Sequence, residues 1–276
     1  MKLTLGFSPC PNDTFIFDAM IHGKVDTEGL TFEVKLGDVE ELNQRAFQAD
    51  LDITKLSYHA FAYLVEDYVL LDAGSALGNN CGPLLISKNK IDHEQIASKT
   101  IAIPGKYTTA NFLLSLAFPM AKNKTATLFS DIENDVITEK TDLGLIIHEN
   151  RFTYQERGLV KIIDLGEFWE TKTGLPIPLG GIVVKRNLPI EIIQKVNRVM
   201  RRSVEFALQN PAQTLNYVRP HAQEMDTTIM MKHINLYVNN YTVDLGENGR
   251  KAINYMFEMA RENGVVPKSN QSLFIK

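Results

Sequence analysis

MKLTLGFSPCPNDTFIFDAMIHGKVDTEGLTFEVKLGDVEELNQRAFQADLDITKLS, residues 1–57, runs through one pattern three times. Leu3, Leu5 and Phe7 alternate with Thr4 and Gly6, the period-two spacing of a strand. Asn12 and Asp13 then supply N-cap chemistry ahead of Phe15, Ile16, Ala19 and Met20, which share one helical face, and Gly23 suits the helix stop. The alternation returns at Leu30, Phe32, Val34 and Leu36, set against Thr31, Glu33 and Lys35. Asp38 followed by Glu41 has the spacing of a capping box, opening a helix that turns Val39, Leu42, Ala46 and Phe47 inward. A short strand over 51–56 and a helix from Tyr58 complete the third round. Strand and helix in alternation predict an α/β fold with a mostly parallel sheet.

Outward from this stretch the alternation continues. Strands are expected over 82–87 and 101–104, then a helix over about 108–118 that Pro119 stops. Residues 126–129 and 143–147 read as strands, the Gly-, Pro- and Thr-rich run 171–181 as loop, and 182–184 as strand. From Pro189 to about Gly264 the chain reads as helix, broken at Pro211 and Pro220. Of the 276 residues 44% are hydrophobic and 22% charged, enough apolar material for a large core, and 29 basic against 33 acidic residues leave a net charge of −4. No stretch clusters Lys and Arg strongly, and Arg201-Arg202 sits alone on an expected helix, so no basic stripe suggests nucleic acid. No run approaches a membrane helix or a secretion signal, which points to a cytoplasmic protein. Two cysteines make no disulfide framework, no cysteine or histidine pair has zinc-ligand spacing, and neither a dinucleotide fingerprint nor a Walker-type lysine motif is present.

Ligands of open α/β sheets bind beyond the carboxyl ends of strands, where helix N-termini offer free N–H groups to anions. Three places fit. Lys55, Leu56 and Ser57 end a strand, with Ser57 placed to cap the helix at Tyr58. Gly105, Lys106 and Tyr107 lead from another strand to Thr108, Thr109 and Ala110, where either threonine can cap the next helix. His148 closes the strand at 143–147. Two such ends with two hydroxyls would clamp a carboxylate, although each reads equally as a cap and nothing more. An imidazole leaving a buried strand suits a general base; the competing reading is a histidine bonded within the sheet edge. His59, next to Ser57, is its one rival. His22 and His93 read as exposed near helix ends, and His221 and His233 as residues of the helical tail. The turn from Ser8 to Thr14 also follows a strand, so Pro9, Asn12 and Asp13 are candidates to line the same cleft. Pro178 joins them from the 171–181 loop, and Cys10 reads as a packed thiol. Met225, Met230, Met231 and Tyr237 of the tail suit either core or dimer surface.

The run SPCPNDTF at 8–15 resembles the N-terminal signature of the 1,4-dihydroxy-6-naphthoate synthase family, from the futalosine route to menaquinone. The likeness spans the chain and includes DITKLS at 52–57, GKYTTA at 105–110, LIIHE at 145–149 and PIPLG at 176–180. The resemblance implies a two-lobed type II periplasmic-binding-protein-like fold with a central cleft. Together with the excess of βα units and the helical last third, it divides the chain into a discontinuous lobe I (1–88 and 182–276) and a lobe II (89–181). It implies a carbon–carbon lyase that converts cyclic dehypoxanthinylfutalosine to 1,4-dihydroxy-6-naphthoate and dihydroxyacetone, without a metal or redox cofactor. His148 matches the family's proton acceptor, and Lys55, Leu56, Ser57, Thr109 and Ala110, with the capping Thr108, match its substrate contacts. The partner is then a small carboxylate, with neither nucleic acid nor membrane involved, and the protein a monomer or homodimer. Rival readings are a solute-binding protein for a small carboxylate, which gives His148 no role, and the related chorismate dehydratase, against which the 8–14 signature argues. A ligand-sensing regulator would need a DNA-binding helix pair or basic arm, and neither is visible.

Overall fold

The computed structural model describes residues 1–222 and 226–275, so Met225 lies outside the described residues. The chain opens with β1 (Lys2–Phe7), α1 (Pro11–Ile21), β2 (Thr31–Leu36), α2 (Val39–Phe47), β3 (Ile53–Ser57), α3 (Tyr58–Tyr63), β4 (Tyr68–Leu70) and β5 (Ala76–Gly78). It continues through β6 (Leu84–Ser87), β7 (Ile101–Ile103), α4 (Thr109–Ala117), β8 (Lys124–Ala126), α5 (Ile132–Ile137), β9 (Leu143–Ile146), β10 (Val160–Asp164) and α6 (Leu165–Thr173). A long strand, β11 (Ile177–Lys185), leads into α7 (Ile190–Gln209), α8 (Pro211–Val218), α9 (Thr227–Tyr237), α10 (Asn240–Val243) and α11 (Gly246–Glu262). Two compact units result: Met1–Gly78 with Pro178–Lys276, and Asn79–Ile177. No helix among the described residues is long and apolar enough to cross a membrane.

In the first unit the sheet order is β2-β1-β3-β11-β4, with β5 also paired to β11. The alternating residues of β1 do what their period predicts: Leu3, Leu5 and Phe7 are buried and face a core shared with Phe15, Ile16 and Met20 of α1, Val196, Val199 and Met200 of α7, and Met230 and Ile234 of α9. Those of β2 are only partly buried, and Leu36 is exposed. Met231 is half-buried against this core, so the tail methionines Met230 and Met231 serve packing. Ser203 of α7 ties the helices together, its Oγ donating to Ile16 O (2.6 Å) and accepting from Met20 N (3.0 Å). Helix α1 begins earlier than expected. Pro11 takes its first position, where a missing N–H costs nothing, and Cys10 occupies the cap position without capping through its side chain, leaving Asn12 and Asp13 inside the first turn.

In the second unit the order is β10-β6-β9-β7-β8. Both sheets are mixed rather than mostly parallel. β1 runs parallel to β2 and β3, and β7 to β8 and β9, whereas β11 is antiparallel to β3 and β4, and β6 to β9 and β10. Periodicity reports which face of a strand is buried and says nothing of its partner's direction. For the same reason the strand near 82–87, placed by its sequence position in the first lobe, pairs instead inside the second sheet. The expected loop at 171–181 is the end of α6 and most of β11. Gly174 ends α6 in the left-handed conformation, whereas Gly180 and Gly181 are packing glycines: a Cβ on Gly180 would lie 2.7 Å from Leu56 O, and one on Gly181 2.5 Å from Leu70 Cδ1.

Candidate functional site

In the second unit β7 and β9 are parallel neighbours, so the chain leaves both at one sheet edge. After β9 comes His148, at φ +61°, opening a 3₁₀ turn that runs to Phe152. Histidine is one of the few non-glycine residues that visit this left-handed region, at a cost of order 1–3 kcal/mol. The imidazole is half-buried and meets the Phe129 ring edge-on, with centroids 4.8 Å apart. The turn is pinned by Arg151, whose Nη1 donates to Gly82 O (2.5 Å) and Nη2 to Asp164 Oδ2 (3.2 Å). The other Asp164 oxygen caps α6 by accepting from Gly166 N (2.7 Å) and Glu167 N (3.3 Å). Gly82 and Gly166 let these backbones touch, since a Cβ on Gly82 would lie 2.1 Å from Gly166 N.

After β7, Gly105 turns the chain at φ +153°, and of the two threonines that could cap α4 it is Thr108 that does. Its Oγ1 accepts from Asn111 N (3.2 Å) and donates to Gly105 O (2.9 Å). Thr109 and Ala110 form the buried first turn. Lys124 Nζ braces this helix by donating to Asn111 Oδ1 (3.0 Å) and Ser115 Oγ (2.7 Å), and burial lowers its pKa to about 8. This edge therefore holds an imidazole and a capped helix N-terminus at the ends of neighbouring strands.

In the first unit β1 and β3 are parallel neighbours, and their carboxyl ends gather a second group. Asp13 Oδ1 accepts from Lys55 Nζ (2.8 Å) and Asn12 Nδ2 (2.8 Å), while Oδ2 accepts from Ser8 Oγ (2.8 Å). All four side chains are buried. Ser57 stands at the cap position of α3 without capping it. Its N donates to Asn43 Oδ1 (3.0 Å) and its Oγ accepts from Asn43 Nδ2 (3.2 Å), and α3 is only six residues long. The expected pair of helix ends is thus reduced to one. Gly180 pairs with Ser57 in β11, which brings buried Pro178 toward the same edge; Leu56 is buried and Pro9 half-exposed.

Cys10 and Cys81 are buried thiols, and burial pushes that of Cys81 up to about 12. His59 is buried against Tyr63, and His93 is exposed beside Phe118. His22 is less free than its helix-end position suggests, with Nδ1 2.8 Å from the fully buried Asp18 Oδ1. Sequence reasoning missed His233. It reads as a tail residue, yet it is fully buried with Nε2 2.9 Å from Asn12 Oδ1, 221 residues away in sequence. It likewise missed Asn43 and Arg151. Asp164, followed by Gly166 and Glu167, carried the one legible signal, an N-cap.

Residues 3–262 match a family model described as menaquinone biosynthesis. The 1,4-dihydroxy-6-naphthoate synthase of Thermus thermophilus is 42% identical over 273 residues, 99% of each chain. A crystal structure of an Archaeoglobus fulgidus protein is similar with a TM-score of 0.91 and 37% identity, over 96% of this chain and 98% of that one. A Candida albicans protein with the generic periplasmic binding protein fold is similar at 14% identity, with a TM-score of 0.69 over 98% of this chain and 92% of its own; that likeness carries the fold alone.

Proposed function

The chain belongs to the menaquinone-biosynthesis family, and from that premise we propose that His148 is the base with which it makes 1,4-dihydroxy-6-naphthoate. The protein is an enzyme of that pathway, a lyase acting on a small molecule. The substrate is cyclic dehypoxanthinylfutalosine. The neutral imidazole accepts a proton from its sugar-derived ring, and the electron pair left on carbon breaks the bond to the carbohydrate fragment. The fragment leaves with that bond's electrons, takes the proton back from the His148 imidazolium and departs as dihydroxyacetone, and aromatisation to the naphthalene drives the step. We assign the substrate carboxylate to the first turn of α4, at Thr108, Thr109 and Ala110, and further contacts to Lys55, Leu56 and Ser57. Pro9, Asn12, Asp13 and Pro178 remain candidates to line the site. The enzyme works in the cytoplasm as a monomer or homodimer, with neither nucleic acid nor membrane as partner.

What supports His148 is its position just past β9, at the edge where α4 begins. The test is His148→Asn. Asparagine also tolerates φ near +61°, so the variant keeps its fold, and turnover of cyclic dehypoxanthinylfutalosine falls by about 10²–10⁴-fold, the usual worth of a positioned base. Near-normal turnover removes His148 from the mechanism. Binding of small carboxylates by the wild type, with no product formed, makes the protein a binding protein instead.

A further inference from the structure

The buried ammonium of Lys55 ends a line of hydrogen bonds that begins on α9. Lys55 Nζ and Asn12 Nδ2 both donate to Asp13 Oδ1 at 2.8 Å, and Asn12 Oδ1 lies 2.9 Å from His233 Nε2. Ser8 occupies the other Asp13 oxygen through Oγ (2.8 Å) and N (3.3 Å). An ionised carboxylate only accepts, so Asn12 turns its NH₂ to Asp13 and its carbonyl oxygen to His233. That oxygen requires a donor, which assigns a proton to His233 Nε2. The imidazole is held fast, fully buried and packed on Tyr237 with ring centroids 4.7 Å apart.

A lysine head on a flexible four-carbon stem sits where its partners hold it. Asp13 supplies the charge that allows Lys55 to be buried, and Asn12 sets the tilt of Asp13. With no donor at His233, the Asn12 amide is free to turn over. It would then present its oxygen to the carboxylate, two acceptors facing, and Asp13 and Lys55 would shift together. We propose that His233 is a positioning residue, acting through Asn12 and Asp13 to hold the Lys55 ammonium for the substrate. The inference rests on the reading of Lys55 as a substrate contact.

The test compares KM and kcat for cyclic dehypoxanthinylfutalosine in the full-length wild type, His233→Leu, His233→Gln, Lys55→Met and the Lys55→Met/His233→Leu double variant. Loss of the donor in His233→Leu is expected to raise KM by about tenfold, with kcat within about twofold of wild type. His233→Gln, whose amide can still donate to Asn12, brings KM back to within about threefold. The double variant shows no KM increase beyond that of Lys55→Met, because both changes act at one place. Should the leucine variant not fold, His233→Asn, whose shorter amide cannot reach Asn12, takes its place with the same expectation. A raised KM in Lys55→Met with wild-type KM in the His233 variants overturns the role of His233 alone. An unchanged KM in Lys55→Met overturns the substrate contact, and the positioning role with it.

Discussion

Gly181 and His148 show how much depends on backbone at single positions. A Cβ on Gly181 would lie 2.5 Å from Leu70 Cδ1 and 2.9 Å from the Tyr58 hydroxyl. Neither neighbour can yield easily: both are fully buried, and the Tyr58 hydroxyl is bonded to buried Ser75 at 2.7 Å. Gly181→Ala should therefore cost about 1–3 kcal/mol, seen as a lower urea midpoint with unchanged slope. A midpoint within error of wild type would mean the strand shifts to make room. The sequence shows a glycine pair beside prolines and so suggests a loop, because glycine has the same letter whether it supplies a turn or a close approach. His148 was legible, since four apolar or small residues before it mark a strand whose end carries the imidazole. Its left-handed φ was not, nor was the Asn12–His233 bond, because no local pattern couples positions 221 residues apart.

Among elements, α4 shows sequence and structure in close agreement: of the two threonines expected to be able to cap it Thr108 does so, and Phe118 follows its last turn. Its brace was not foreseeable. No local pattern marks Lys124, yet β8 holds its ammonium against Asn111 and Ser115, with burial first and Lys122 second lowering its pKa to about 8. The sign of the linkage follows. With a folded pKa near 8 and an ordinary value of 10.5, the unfolded chain holds more protons between those limits, so this residue's contribution to stability rises with pH there. Below pH 8 the burial penalty is fully present. The stability of wild type relative to Lys124→Met should therefore improve from pH 8 to pH 10.5, measured by urea unfolding of both proteins at each pH. A constant difference, or one that shrinks, would show that Lys124 titrates at an ordinary value. The same dependence on burial explains why α6 and β10 were hidden. β10 carries Lys161 on an edge strand, and Trp169 of α6 is fully buried and donates to Pro176 O (3.1 Å), an anchor with no sequence period.

At the scale of the whole molecule, the first unit is built from both ends of the chain. β11 lies between β3 and β4, and the core beneath the sheet takes Val196, Val199 and Met200 from α7 beside Leu3, Leu5 and Phe15 from the N-terminal stretch. Residues 1–78 alone lack the strand that joins β3 to β4 and the helices that cover the sheet, and leave apolar residues open to water at about 25 cal/mol per Å². The point of interruption is favourable for reconnection, because β5, which ends at Gly78, pairs with β11, where the chain returns. A chain carrying residues 1–78 joined by a short Gly/Ser linker to 178–276 should therefore fold, with one cooperative urea transition and the far-UV dichroism of an α/β protein. The fragment 1–177 should lose that unit and keep only the signal of residues 79–177, whose sheet β10-β6-β9-β7-β8 draws every strand from within that segment. A folded first unit in the 1–177 fragment would mean that its sheet closes without β11 and α7. The helical last third, legible from Pro189 onward, would then be an addition to a finished lobe; the pairing of β11 with both β3 and β4 argues that it completes one.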